Sequence, residues 1–198
     1  ALHPQGHGLA AAAAAAAVRL NPQQTAVRGL FSGGTLCSES MVLISKRLGP
    51  VYSNAALRPE WALPGPPGAH RCLDLGEEEY TRGRPHPMID VAARVEHIER
   101  AAADPATAVI LLDVVLGYGS HPDPASILGP ACERAIRGGS GPAVVTYVLG
   151  TEGDPQDRQR QERALEGAGC VLAPTGARAA LLAAAIAARQ PRIAEEAP

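Results

Sequence analysis

Apolar residues recur along this chain in short unbroken runs separated by longer stretches with helical spacing. The runs are "TAVRGLF" (25–31), "HRCLDLG" (70–76), "AVILLDVVL" (108–116), "PAVVTYVL" (142–149) and "GCVLAP" (169–174). Between them, residues 35–49, 88–104, 123–136, 154–169 and 177–189 carry apolar positions at the period of an α-helix. Strands apolar on both faces that alternate with helices predict a parallel sheet covered by helices on each side. The expected fold is α/β and flavodoxin-like, a five-stranded parallel sheet in the order 2-1-3-4-5 with right-handed crossovers.

Two segments stand outside this alternation. The tract "LAAAAAAAAVRL" (9–20) has high helix propensity and little else, and Asn21-Pro22 ends it, so it reads as a packing or linking helix. Residues 51–69, rich in proline and glycine, read as an inserted loop before the second strand. The expected organisation is an N-terminal helix or linker over 1–24, one domain over 25–190 and a tail over 191–198. Because the chain begins with Ala1, it is expected to be a piece of a longer protein.

Composition narrows the function. The net charge of −2 and the lack of a basic run give no footprint for nucleic acid. No apolar stretch reaches the roughly 18–20 residues that cross a bilayer, and no signal peptide is evident, so a soluble cytoplasmic protein is expected. Cys37, Cys72, Cys132 and Cys170 form no C-x-x-C pair, which argues for buried thiols and against a metal site.

In a parallel sheet of this kind, ligands sit beyond the carboxyl ends of the strands. Four loops there carry glycine where a strand ends: "SGGTL" (32–36), "GEEEYTRGRPHP" (76–87), "GYGSHPDP" (117–124) and "GTEGDP" (150–155). Glycine lets an anion approach main-chain N–H groups at a helix start, where the helix dipole also favours it. The candidate anion or phosphate site is therefore Ser32, Gly33, Gly34, Thr35, Gly117, Gly119, Ser120, Gly150 and Thr151. His121, in the middle of the richest loop, is the candidate acid, base or donor. Arg84 and His86 are candidates for holding substrate, and Arg82 offers a further charged fork.

Each of these has a plainer alternative. The glycines can simply make turns, the hydroxyls can cap helices, and His121 can bond locally beside Pro122. Cys37 reads as packing rather than nucleophile, Glu77 to Glu79 as a solvated acidic run, and His97 as a solvated residue on a helix's polar face. His3, His7 and His70 carry no motif. Asp74 and Asp113 sit inside apolar strands, and a buried carboxylate needs a partner such as an arginine near the strand ends.

The segments "FSGGTLCSE" (31–39), "CLDLGEEEYTRGRPHPMID" (72–90), "ADPATAVILLDVVLGYGSHPDPA" (103–125) and "YVLGTEGDPQDRQRQ" (147–161) resemble, in order, segments of the FdrA proteins, which are similar to succinyl-CoA synthetase. The resemblance covers roughly residues 26–189 and implies a CoA-ligase domain. In succinyl-CoA synthetases two helix N-termini, one from each of two related domains, hold a phosphate or phosphohistidine. Loop 117–121 matches one such helix start, and "SGGTL" matches a loop near the same phosphate. The resemblance thus implies CoA or an acyl or carbamoyl phosphate as ligand, nucleotide only through another domain, and a second ligase-type domain or subunit as partner. The synthetase's phosphorylated histidine lies in a Gly-His-Ala-Gly sequence after the fourth strand. Here that region reads "GTEGDPQDRQRQERALEGAG", without histidine. The resemblance implies acyl-CoA synthesis as the activity, with the phosphohistidine motif absent from this chain. The alternatives are carbamoyl transfer of the oxamate type in purine catabolism, as linked to FdrA relatives, or a catalytically silent assembly subunit.

Overall fold

The structure, a computed structural model, describes residues 7–137 and 141–198. Its strands are β1 (Ala26–Phe31), β2 (Val51–Ser53), β3 (His70–Asp74), β4 (Thr107–Val115), β5 (Ala143–Leu149) and β6 (Val171–Leu172). They form one parallel sheet in the order β2-β3-β1-β4-β5-β6. The five expected strands take their expected order, and a sixth lies outside them at the edge. That strand corrects the reading of 51–69 as loop throughout. Three residues placed just after Pro50 are too few to show a period, and they pair only because β3 offers an open edge.

The helices are α1 (His7–Val18), α2 (Gly34–Leu48), α3 (Glu78–Thr81), α4 (Ala93–Ala103), α5 (Pro124–Ile136), α6 (Arg158–Gly167) and α7 (Gly176–Ala188). The helix expected over 88–104 begins only at Ala93. Before it, the N–H groups of Ile89 and Asp90 both bond to the carbonyl of His86, closing a turn.

The core has two halves. Phe31, Met41, Ile44, Val109, Leu111, Val145 and the apolar residues of α7 fill the face under α2 and α7. Leu30, Ile98, Ile110, Leu112, Leu128 and Leu165 fill the face under α4, α5 and α6. Helix α7 is buried from Ala179 to Ala187, and a helix that is apolar all round needs cover on every side. The alanine tract supplies it. Leu9 and Ala13, one turn apart on α1, are buried in the same cluster, together with Ile193 and Ala194 of the closing turn Pro191–Glu195. His3 lies outside the described residues.

His70, which carries no motif, has a structural role at the amino end of β3, inside the sheet. The register between β1 and β4 shifts at Ala26/Val27, and the N–H of Val27 donates to Nδ1 of His70 at 3.1 Å. Burial, and then the nearby Arg28 charge, lower its pKa from the usual 6.5. The unfolded chain therefore binds this proton more readily than the fold, and stability should fall as pH drops from about 6.5 toward the depressed value. Urea titrations between pH 7 and 5 should show that decline, shallower in His70→Gln. An equal slope in the variant would remove His70 from the account.

Candidate functional site

At the carboxyl edge the ladder between β1 and β4 ends at Leu30 and Leu112, and the chain of β1 turns away at Ser32. What receives it is Asp113, fully buried on the longer strand β4. The Ser32 N–H lies 3.0 and 3.1 Å from the two carboxylate oxygens, and the Ser32 hydroxyl donates to Oδ2. Arg94, 2% exposed, reaches in from α4 and donates to Asp113 Oδ1 at 2.8 Å, to the Asp113 carbonyl at 2.7 Å and to the Leu30 carbonyl at 2.6 Å. Asp113 thus has the arginine partner that its burial demanded. Arg94 itself escaped the sequence reading, although a signal was there: it occupies a core position in the α4 stripe Val91, Arg94, Ile98, Ala101, all buried.

Asp74, at the end of β3, is the second buried carboxylate. Its Oδ1 accepts from the Gly76 N–H at 2.9 Å, and its main chain is gripped on both sides by the Asn54 side chain, which continues the pairing of β2. A Cβ at Gly34 would lie 2.8 Å from Asp74 Oδ2, so only glycine at the start of α2 tolerates this carboxylate so close. A Cβ at Gly76 would lie 2.8 Å from His86 Nε2 and 2.9 Å from the Ser32 carbonyl. The structure therefore gathers Ser32, Gly34, Asp74, Gly76 and His86 in one place. Nδ1 of His86 accepts from the Met88 N–H at 3.3 Å, which in the neutral ring leaves the proton on Nε2, facing Gly76.

Helix α2 starts at this cluster. It is 15 residues long, no side chain caps it, a Cβ at Gly33 would meet open space, and Thr35 is exposed. Its first-turn N–H groups have no intrahelical acceptor.

The other two loops are engaged internally. In 117–123, Gly117 (φ 127°) and Gly119 (φ 86°) adopt conformations that favour glycine. The Gly117 N–H, however, goes to Gln156 Oε1 at 3.1 Å, that of Ser120 to the Gly117 carbonyl at 3.2 Å and that of His121 to the Met88 carbonyl at 2.8 Å. His121 Nδ1 accepts from the Asp123 N–H at 3.0 Å, the local bond its plainer reading foresaw. At α5, Pro124 has no N–H and Ala125 donates to Gln161 at 2.9 Å. As folded, this loop does not hold out the row of N–H groups expected of it, because Gln156 and the carbonyls of Gly117 and Met88 take three of them. Around Thr151 the anion is already present as Asp154. The Thr151 N–H and hydroxyl donate to it at 2.6 and 3.2 Å, and Gly150 leaves room for it.

The remaining candidates separate from the cluster. Arg84 is exposed and lines a small cavity with Leu75, Tyr80, Pro87, Arg94 and His97. Arg82 pairs with Glu78 at 2.8 Å on the surface. His97, expected to be solvated, is half-buried edge-on against Tyr80, with ring centroids 5.4 Å apart, because α3 folds over that face of α4. Burial, reinforced by Cys72 and Asp74, pushes the Cys37 thiol up, which leaves it an inert core residue. Among the described residues no cluster of His, Cys, Asp and Glu could hold a metal, and no helix is long and apolar enough to cross a membrane.

The CoA-ligase family model matches residues 30–186, and the chain belongs to that family, whose domain is succinyl-CoA synthetase-like. The chain is also 41% identical over 174 residues to the uncharacterized protein YahF of Escherichia coli (strain K12). That match covers 83% of this chain and 33% of YahF, so the chain spans about a third of its relative's length.

The Arg94–Asp113 pair yields a direct test. Removing one partner of a buried ion pair leaves an uncompensated charge and costs about 3–5 kcal/mol. Arg94→Met and Asp113→Asn should each lose about that much in urea unfolding, and the double variant should lose clearly less than the sum. Additive losses would show the two groups to be independent.

Proposed function

We propose that this chain is one half of an anion-handling site in an FdrA-type acyl-CoA synthetase, with the other half supplied by a second ligase-type domain or subunit. The observation that carries the reading is the uncapped start of α2 beside Ser32, Asp74 and His86. Main-chain N–H groups at Gly33 to Thr35 and the Thr35 hydroxyl would hold the carboxylate or phosphate of an acyl group, with His86 Nε2–H as a further donor. CoA, when bound, supplies the thiol that accepts the acyl group. Nucleotide enters only through another domain, and the setting of this chemistry is cytoplasmic.

Asp74 refines the choice of ligand. Its carboxylate stands next to Gly34, so a dianionic phosphate or acyl phosphate meets more repulsion at the α2 start than a singly charged carboxylate does. Carbamoyl transfer of the oxamate type, the alternative activity, fits this preference through the single carboxylate of oxamate, and the loop after β5 contains no histidine to carry a phosphoryl group. A second domain has a surface to meet at the same edge. Tyr118 is 92% exposed at the tip of its loop, with Ile89 and Leu149 also exposed among the loops and strand ends there.

Calorimetric titration with acetyl phosphate, carbamoyl phosphate, inorganic phosphate and CoA tests the reading. Inorganic phosphate should bind more tightly at about pH 6, where it is mostly a monoanion, than at about pH 8, where it is a dianion. Asp74→Asn should tighten inorganic phosphate by about tenfold, equivalent to ~1.4 kcal/mol of relieved repulsion. Gly34→Val, confirmed to be folded by circular dichroism, should lose binding. No heat from any ligand at millimolar concentration, with the second domain present, would leave the silent assembly role.

A further inference from the structure

On the other side of β1 and β3 the strands present a different chemistry. Alternation along them directs Arg28 and Leu30, and Arg71 and Leu73, toward the layer that contains α4. Helix α4 packs on β1 and β4, leaving a cleft of about 390 Å³ over β3. Leu63 and Pro64 wall it on one side, Tyr80 and His97 on the other.

The three arginines of the cleft differ in their partners. Arg28 is satisfied: it donates to Asp104 at 2.7 Å and to the carbonyls of Ala69 and Val27. Arg100 pairs with Glu96 in solvent. Arg71 has no ion-pair partner among the described residues. One of its terminal nitrogens lies 3.4 Å from the Pro66 carbonyl, and its Nε is shielded from solvent without a hydrogen-bond partner. Asp104 is the one carboxylate lining the cleft; it bonds to Arg28, and the Arg71 charge bears on it without an ion-pair contact, so the three arginines outweigh it. An arginine fork with spare donors, set among Leu73, Leu63 and Tyr80, is half of a binding site for an amphipathic anion.

We propose that this cleft binds a small organic anion, its carboxylate or phosphate head held by Arg71 and its flat apolar body lying between Leu73 and Tyr80. The site is distinct from the α2 start. Arg71 precedes Asp74 by three residues, about 10 Å along the strand, and its side chain points to the opposite face of the sheet. His97 lies in the wall of this cleft, and its pKa is lowered by burial and then by Arg100, so an anion bound here should raise it.

The test uses phenyl phosphate and benzoate as probes, with inorganic phosphate and benzyl alcohol as the head and body alone. At least one of the two whole probes should bind in calorimetry at least about tenfold more tightly than either part, and which one does so identifies the preferred head. Binding should raise the His97 pKa in an NMR titration, a change that occupancy of the α2 start would not produce. Arg71→Met should weaken binding about tenfold or more, and Tyr80→Ala, on a short surface helix, gives an independent loss. The proposal is overturned if neither whole probe gives heat at millimolar concentration, if the His97 pKa does not move, or if both variants bind like the parent.

Discussion

The buried pair of Arg94 and Asp113 is the contact around which the carboxyl edge of the sheet is organised. Strand β1 stops hydrogen-bonding to β4 after Leu30, and a chain leaving a sheet at that depth would strand its polar groups out of water. The Asp113 carboxylate takes the first of them, the N–H and hydroxyl of Ser32, while Arg94 takes the carbonyls of Leu30 and Asp113. The charge that makes this carboxylate a strong acceptor would be costly alone, and Arg94 offsets it. Gly33, Gly34 and the first turn of α2 are placed by this arrangement, because they follow Ser32 directly.

The same device recurs along the edge with other partners. Asp74 accepts from Gly76 beside Gly34, and Asp154 accepts from Thr151 beside Gly150. Of the four loops that read from sequence as open anion cradles, the one at Thr151 is closed on a carboxylate from within the chain, and the one at Gly117 on Gln156 and main-chain carbonyls. At the α2 start an uncapped helix meets open space, and there Asp74 sets the terms on which an anion can enter. The cleft on the α4 side reverses the balance, with three arginines to one carboxylate and, among the described residues, no ion pair at Arg71.

The alanine tract and α7 show a packing constraint with the same kind of consequence. An alanine-rich helix can lie close to the sheet and to α2, but it leaves its outer side apolar. The N-terminal helix and the turn at Pro191–Glu195 are thereby drawn onto the domain, as the burial of Leu9, Ala13 and Ile193 records.

What could be known from the sequence alone was whatever depends on local pattern. Five strands, their order and most helix bounds follow from period and from the rules of parallel crossovers, which hold for any chain of this pattern. The family resemblance extended that to a CoA-ligase domain, and the need for partners at Asp74 and Asp113 was plain from charge inside apolar strands. The three-residue strand β2 was not legible, because it exists only by pairing with the edge of β3. Nor was the fate of the loops. Whether an N–H faces solvent, Gln156 or Asp154 depends on side chains about 3 to 80 residues away, and spacing within a loop says nothing of them. Tertiary structure therefore decided which glycine loop stays open, and it did so through the reach of a few buried polar side chains.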